Sequence, residues 1–236
     1  APASGRPLYT LEAMFPTLQN ELVFIGDNGG AIRWKGQNLF TSEMSPEGWR
    51  ALNRLTREQG DIAVLCGLES AYVERPFAVH DAVLRHFYTK IEYVDRLEDV
   101  TAPADKFTIY LPQHNAQQAY DTVYASQRSI YSVAVAGECW VDIMNPGVHK
   151  GAALQTLGQL WGLPSESIMA FGDTYNDAEM LQTVRYGFLM ENGSEPLRQK
   201  VPFLAPSHRE AGVMQVLHRV LAQNGCVCPE DFVPAH

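Results

Sequence analysis

The sequence predicts an α/β fold: a doubly wound parallel-sheet core interrupted by an inserted α+β segment. Three observations carry that expectation. After Asn145-Pro146-Gly147 the chain alternates helix-period and strand-period segments to its end, the pattern of parallel strands joined by crossover helices. Near the start, short apolar strands end in small or polar residues at Ser4-Gly5 and Asp27-Asn28-Gly29. Between them, residues 40–145 change character and read as helices covering one face of an antiparallel sheet. The predicted division is a core of residues 1–38 and 146–236, with residues 39–145 inserted.

The elements follow from local chemistry. Residues 7–19 read as a helix with Pro7 suited to its first turn. Residues 21–25 form a short apolar strand, Gly26-Asp27-Asn28-Gly29-Gly30 a tight turn, residues 31–34 a second strand, and Lys35-Gly36-Gln37-Asn38 another turn. In the inserted segment, helices are expected at 46–58, 76–88 and 116–125, and strands at 71–74, 107–111, 131–136 and 140–143. A helix over 149–161 is expected to bury Ala153, Leu154, Leu157, Leu160 and Trp161, stopped by Gly162 and Pro164. Then come a strand at 167–171, a helix at 177–183, a strand at 186–190, a short helix at 196–201 and a brief strand near Phe203. A last helix spans about 210–223, with Val213, Val216, Leu217, Val220 and Leu221 on one face and Gly225 beyond it.

Bulk properties narrow the function classes. A formal charge of −9 without any Lys/Arg run argues against a nucleic-acid or acidic-membrane partner. No apolar stretch approaches the roughly 18 residues that span a bilayer, and no signal-peptide pattern opens the chain. Cys66 and Cys139 sit in apolar runs and read as core residues, Cys226 and Cys228 as free thiols, and a cytoplasmic location is expected. No pattern in the chain specifies an oligomeric state.

The most informative run is Gly172-Asp173-Thr174-Tyr175-Asn176-Asp177-Ala178-Glu179-Met180-Leu181. It places two carboxylates, Asp173 and Asp177, at a strand's C-terminal end, with Met180 and Leu181 facing inward from the next helix. Such a loop suits a hard cation, and Mg²⁺ takes one or two carboxylates while leaving its other positions to water and phosphate. The plainer alternative is that Asp173 and Asp177 merely cap the following helix. Lys150, at the N-terminal turn of the preceding helix, adds positive charge where a helix already favours an anion.

Together, Ser4-Gly5-Arg6-Pro7, Asp27-Asn28-Gly29-Gly30, His149-Lys150-Gly151-Ala152-Ala153-Leu154 and the Gly172-to-Leu181 run resemble, in order and spacing, the motifs of the haloacid dehalogenase superfamily. Within it the chain resembles the Cof-type phosphatases with a large inserted α/β cap, and among these the bacterial sugar phosphatases. The resemblance implies a Rossmann-like core, a cap closing over the strand ends, and Mg²⁺-dependent hydrolysis of small phosphorylated metabolites, sugar phosphates first among them, through an aspartyl-phosphate. A nucleotide or a phosphorylated vitamin is the alternative substrate. It implies that Ser4 hydrogen-bonds a phosphoryl oxygen, that Lys150 neutralises charge, that Gly5, Asn28 and Gly29 line the phosphate cleft, and that Asp173, with Asn176 and Asp177, holds the metal.

One motif departs from the pattern. The superfamily's first motif, Asp-x-Asp-Gly-Thr, precedes the Ser-Gly turn, and no Asp-x-Asp occurs in these 236 residues. The nucleophile is therefore expected to be missing and the chain as given inactive. The sequence is either an N-terminally shortened version of an active enzyme or a phosphatase-like protein that keeps a binding cleft. Loss of a central strand would leave its neighbours' backbone groups unpaired and the isolated chain unstable, unless another copy or a retained fragment completes it.

Overall fold

A computed structural model of the chain describes residues 1–235, which fall into two compact units, Ala1–Val148 and the residues from His149 onward. The first unit opens with α1 (Leu8–Met14), β1 (Val23–Gly26), β2 (Ala31–Trp34) and β3 (Gln37–Thr41). These three strands form an antiparallel sheet in the order β1-β2-β3. Ahead of α1, Ala3 makes an isolated parallel bridge to Ile25 of β1. The first helix is shorter than the 7–19 expected, because Phe15 leaves the helical region and residues 16–21 turn.

The rest of the unit comprises α2 (Pro46–Gln59), β4 (Ile62–Gly67), β5 (Ala71–Glu74), α3 (Asp81–Leu84), β6 (Ile91–Val94), β7 (Ala104–Tyr110), α4 (Ala116–Asp121), β8 (Ser132–Val135) and β9 (Trp140–Met144). The strands make a six-stranded sheet, β6-β5-β4-β7-β9-β8, antiparallel except for the β5–β6 pair. Helix α2 illustrates why these residues fold locally. Ser45 caps it by accepting from the Gly48 amide, and Pro46 starts the first turn. Trp49, Leu52, Asn53 and Thr56 fall on one buried face, and Gly60 ends the helix in the left-handed region.

Strand alternation then builds a core on each face of the sheet. Ala63 and Leu65 of β4, Phe107 and Ile109 of β7 and Val141 and Ile143 of β9 join Trp49 and Leu52 on one side. Ile62, Val64 and Cys66, with Tyr110 and Trp140, pack on the other with Leu84 and Tyr88. The expected helix over 76–88 is instead a 3₁₀ segment, Arg75–His80, that buries no side chain, followed by the single turn of α3.

The second unit contains α5 (Lys150–Trp161), β10 (Met169–Gly172), α6 (Ala178–Thr183), β11 (Tyr186–Met190), β12 (Phe203–Ala205), α7 (Gly212–Ala222) and β13 (Val233–Pro234). β10, β11 and β12 are parallel, and β13 adds an antiparallel edge. Phe188, fully buried at the sheet centre, stacks on Phe171 and meets Phe203 and Phe232. Helix α5 buries Ala153, Leu154 and Leu157 as expected, but Leu160 and Trp161 are exposed, as is Leu221 of α7. The stretch at 196–201 is 3₁₀ (Glu195–Lys200) rather than α-helical. Among the described residues, no helix is long and apolar enough to cross a membrane.

Helix α6 packs so closely on β11 that a Cβ added at Gly187 would lie 2.0 Å from the Leu181 carbonyl oxygen. Because backbone rather than a flexible side chain must yield, Gly187→Ala is expected to destabilise the chain by about 3 kcal/mol, measured by urea unfolding.

Candidate functional site

In the second unit the acidic run lies where the sequence places it, on the loop between β10 and α6. Asp177 is buried and its carboxylate is used inside the loop. Its Oδ2 accepts from the amides of Asp173 (2.9 Å) and Thr174 (3.1 Å). Its Oδ1 accepts from Lys150 Nζ at 2.6 Å, with both side chains about 6% exposed. Thr174 and Asp177 form a reciprocal capping box, so the capping role anticipated for an aspartate here belongs to Asp177. Thr174 Oγ1 also donates to Asn176 Oδ1 at 2.6 Å. Gly172 is required by this packing, since a Cβ there would meet Asp177 Cβ at 2.4 Å.

Asp173 differs from Asp177 in being exposed. Its backbone is held from the other side by the loop after β11, where Ser194 donates its amide to the Asp173 carbonyl at 2.8 Å. The 191–193 turn thus abuts the acidic loop. Lys150 is positioned by the start of α5, which His149 caps by accepting from the Ala152 amide at Nδ1, 3.1 Å.

The donor chemistry fits Mg²⁺, a hard cation that needs only one or two carboxylates. Asp173 is the exposed carboxylate of the pair, with Asn176 two residues into the next turn. Among the described residues there is no group of three or more His, Cys, Asp or Glu able to hold a metal ion, as a tighter all-protein site would need.

In the first unit the structure brings Ser4, Gly5, Asn28 and Gly29 together. Ser4 donates its amide to the Ile25 carbonyl (3.0 Å), Asn28 donates its amide to the Ser4 carbonyl (2.9 Å), and Asp27 donates to the Arg6 carbonyl (3.0 Å). Ser4 Oγ accepts from the Arg6 amide at 3.1 Å. Asp27, Asn28 and Gly29 all have positive φ, at 49°, 56° and 101°. That left-handed run is tolerated best by Asn, Asp and Gly, which is why this turn has this composition.

Beneath these turns lies a buried polar cluster that sequence reading missed. Lys106 of β7 places Nζ 2.6 Å from the Gly5 carbonyl, 3.0 Å from Asp27 Oδ1 and 3.4 Å from Asp142 Oδ2. Asn28 Nδ2 donates to Asp142 Oδ2 at 2.9 Å, and Thr108 Oγ1 donates to Asp142 Oδ1 at 2.7 Å. Burial alone would lower the Lys106 ammonium's pKa, but Asp142 and Asp27 outweigh it and hold it well above the ordinary lysine range. Burial pushes Asp27 up, against the pull of Lys106. The thiol of Cys66, opposite Lys106 across the β4–β7 ladder, is pushed up to about 12 by burial. The signal in the sequence was the polar alternation Lys106, Thr108, in a strand whose residues are all buried.

Asp105, wholly buried, hydrogen-bonds through neither carboxyl oxygen. Burial, then the nearby Asp27 charge, raises its pKa well above the carboxylate range, while Lys106 pulls the other way. Between the unfolded value near ~3.9 and that raised value, the folded chain holds a proton the unfolded chain lacks. Stability from this group is therefore full below the unfolded pKa and falls as pH rises toward the folded one. The neutral variant Asp105→Asn is expected to match the parent at pH 4. It is expected to exceed it increasingly as pH rises above the ordinary carboxylate range, by at most ~1.4 kcal/mol per pH unit, in chemical denaturation.

Comparison with known proteins adds four findings. A family model described as haloacid dehalogenase-like hydrolase matches residues 2–217. The chain is 31% identical over 222 residues to the 5-amino-6-(5-phospho-D-ribitylamino)uracil phosphatase YbjI of Escherichia coli K12, covering 93% of this chain and 82% of that protein. It is 29% identical over 211 residues to the HMP-PP phosphatase of Cronobacter sakazakii, covering 86% and 75%. A crystal structure from Streptococcus mutans UA159 superposes with a TM-score of 0.84 at 27% identity, over 93% of this chain and 84% of that one.

Proposed function

The chain belongs to the haloacid dehalogenase-like hydrolase family, and on that basis we propose that it carries the phosphate-binding and metal-binding parts of a Mg²⁺-dependent phosphatase acting on small phosphorylated metabolites. The observation that carries this reading is the acidic loop, where Asp177 and Lys150 neutralise one another while Asp173 stays exposed. Asp173 would hold Mg²⁺, with Asn176 in the same loop, and Asp177 would hold the loop in shape. The metal, when bound, would offset the charge of the phosphoryl oxygens.

Ser4 would donate its hydroxyl to a phosphoryl oxygen, and the backbone around Gly5, Asn28 and Gly29 would line the anion's seat. On the family's pattern Lys150 would lie against the phosphoryl group at the start of α5, with its ammonium shared with Asp177. Positioning and charge neutralisation would supply most of the rate enhancement. In the implied reaction an aspartate of an Asp-x-Asp motif attacks phosphorus, the ester oxygen leaves, and water then hydrolyses the aspartyl-phosphate. No Asp-x-Asp occurs here, so the 236 residues alone are proposed to be inactive. Residues 1–38 and 146–236 are proposed as the core, with 39–145 as the inserted cap that selects the leaving group in a cytoplasmic enzyme.

A phosphorylated sugar or sugar alcohol is the preferred substrate. A nucleotide or a phosphorylated vitamin is the second reading, and the two relatives are named for a phosphorylated ribitylaminouracil and for HMP-PP. The first of those names itself describes a phosphate on a ribityl chain, so the two substrate classes overlap chemically.

The test is a panel of phosphate esters assayed with Mg²⁺ on protein carrying an Asp-x-Asp motif ahead of residue 1, beside the 236-residue chain. Turnover is expected only in the former, and Asp173→Asn should lower its kcat/KM by about 100-fold or more. Activity that survives Asp173→Asn would remove the metal assignment.

A further inference from the structure

We propose that Lys106 is a positioning residue for the phosphate seat, fixing the Ser4-Gly5 and Asp27-Asn28 turns from beneath through its ammonium group. The proposal rests on the reading of those turns as the seat.

The geometry is specific. Lys106, Thr108 and Tyr110 share one face of β7, and Asp142 of β9 stands directly opposite Thr108 in the ladder. Lys106 is about 1% exposed; its ammonium donates hydrogen bonds to the Gly5 carbonyl and Asp142 Oδ2 and lies within ion-pair distance of Asp27 Oδ1. The Gly5 contact lies on one turn and the Asp27 contact on the other. The Asp142 contact leads to the second turn again, because Asp142 also accepts from Asn28 Nδ2. One ammonium group thus ties together two loops that are separated by more than 20 residues in sequence.

The chemistry explains why a lysine suits this place. Gly5 turns its carbonyl inward to Lys106, and the inverted backbone at Asp27 and Asn28 is costly unless held by its surroundings. A compact ammonium with three donors can satisfy a carbonyl and two carboxylates that diverge in direction. It also balances negative charge beneath a seat meant for an anion, which Asp27 and Asp142 alone would repel. Lys106 does not touch the anion. Its effect passes through Gly5, Asp27 and, by way of Asp142, Asn28.

The experiment uses isotope-labelled 236-residue chain and follows the Gly5 carbonyl and the Ser4, Arg6 and Asn28 amides by NMR, with and without inorganic phosphate. Parent chain, Lys106→Met and Lys106→Ala are compared, the last with and without added propylammonium to refill the vacated space. Amides of β4 report whether the sheet is intact. If Lys106→Met does not fold, Lys106→Met combined with Asp142→Asn, which removes one buried charge of each sign, replaces it.

The expected result is a moved Gly5 carbonyl signal, about tenfold weaker phosphate binding at these turns, and recovery of both in Lys106→Ala with propylammonium, while β4 is unchanged. Phosphate binding that is equal in parent and variants would overturn the positioning role and leave the phosphate seat standing. Absence of any phosphate-induced change at Ser4, Gly5 or Asn28 in the parent would overturn the seat, and the proposal with it.

Discussion

The ion pair between Lys150 and Asp177 is the interaction on which the acidic loop depends. Two almost fully shielded charges 2.6 Å apart are stable only because each is also tied into backbone structure. Asp177 takes the amides of Asp173 and Thr174, and Lys150 stands at the capped start of α5. The pair joins the end of β10, the start of α6 and the start of α5. It also determines what the loop can do, because a carboxylate that holds two amides and an ammonium has little left to give a cation. Of two neighbouring aspartates with the same chemistry, the fold buries one and leaves the other exposed.

The first unit solves a similar problem with a different residue. Its turns at Ser4-Gly5 and Asp27-Gly29 are backbone structures whose carbonyls and inverted torsions need support. That support comes from a charged cluster within a strand face, where Lys106 is surrounded by acidic groups. Lys106 there faces Asp27 and Asp142, while the neighbouring Asp105, raised chiefly by burial, keeps its proton well into the range where a free carboxyl would lose it. Burying polar groups in this way costs stability relative to an apolar core, and what it secures is a defined conformation of the turns above.

Much of this was legible in the sequence, and the remainder was hidden for physical reasons. The acidic run, the Lys150 helix start and both glycine-containing turns are contiguous stretches, so local patterning suffices to read them. The strand β4 escaped because Ile62-Ala63-Val64-Leu65-Cys66 is buried on both faces and has no alternation to detect. The 3₁₀ stretch after Arg75 mimicked a helix because its spacing is helical, although none of its side chains is buried. Leu160, Trp161 and Leu221 follow helical periodicity and yet are exposed, since period alone does not say which turns of a helix are covered. The Lys106 cluster left only the Lys106–Thr108 alternation as a local trace. Asn28 and Asp142 are 114 residues apart, and only the folded ladder brings them to one place.

The central claim is that Asp173 is the loop's cation ligand while Asp177 shapes the loop. It is tested most directly by titrating Mg²⁺ into the isotope-labelled chain and watching the amides from Gly172 to Asn176. The account predicts saturable shifts confined to that loop, abolished in Asp173→Asn although the Lys150–Asp177 pair remains. Shifts that persist in Asp173→Asn, or a loop that does not respond to Mg²⁺, would contradict it.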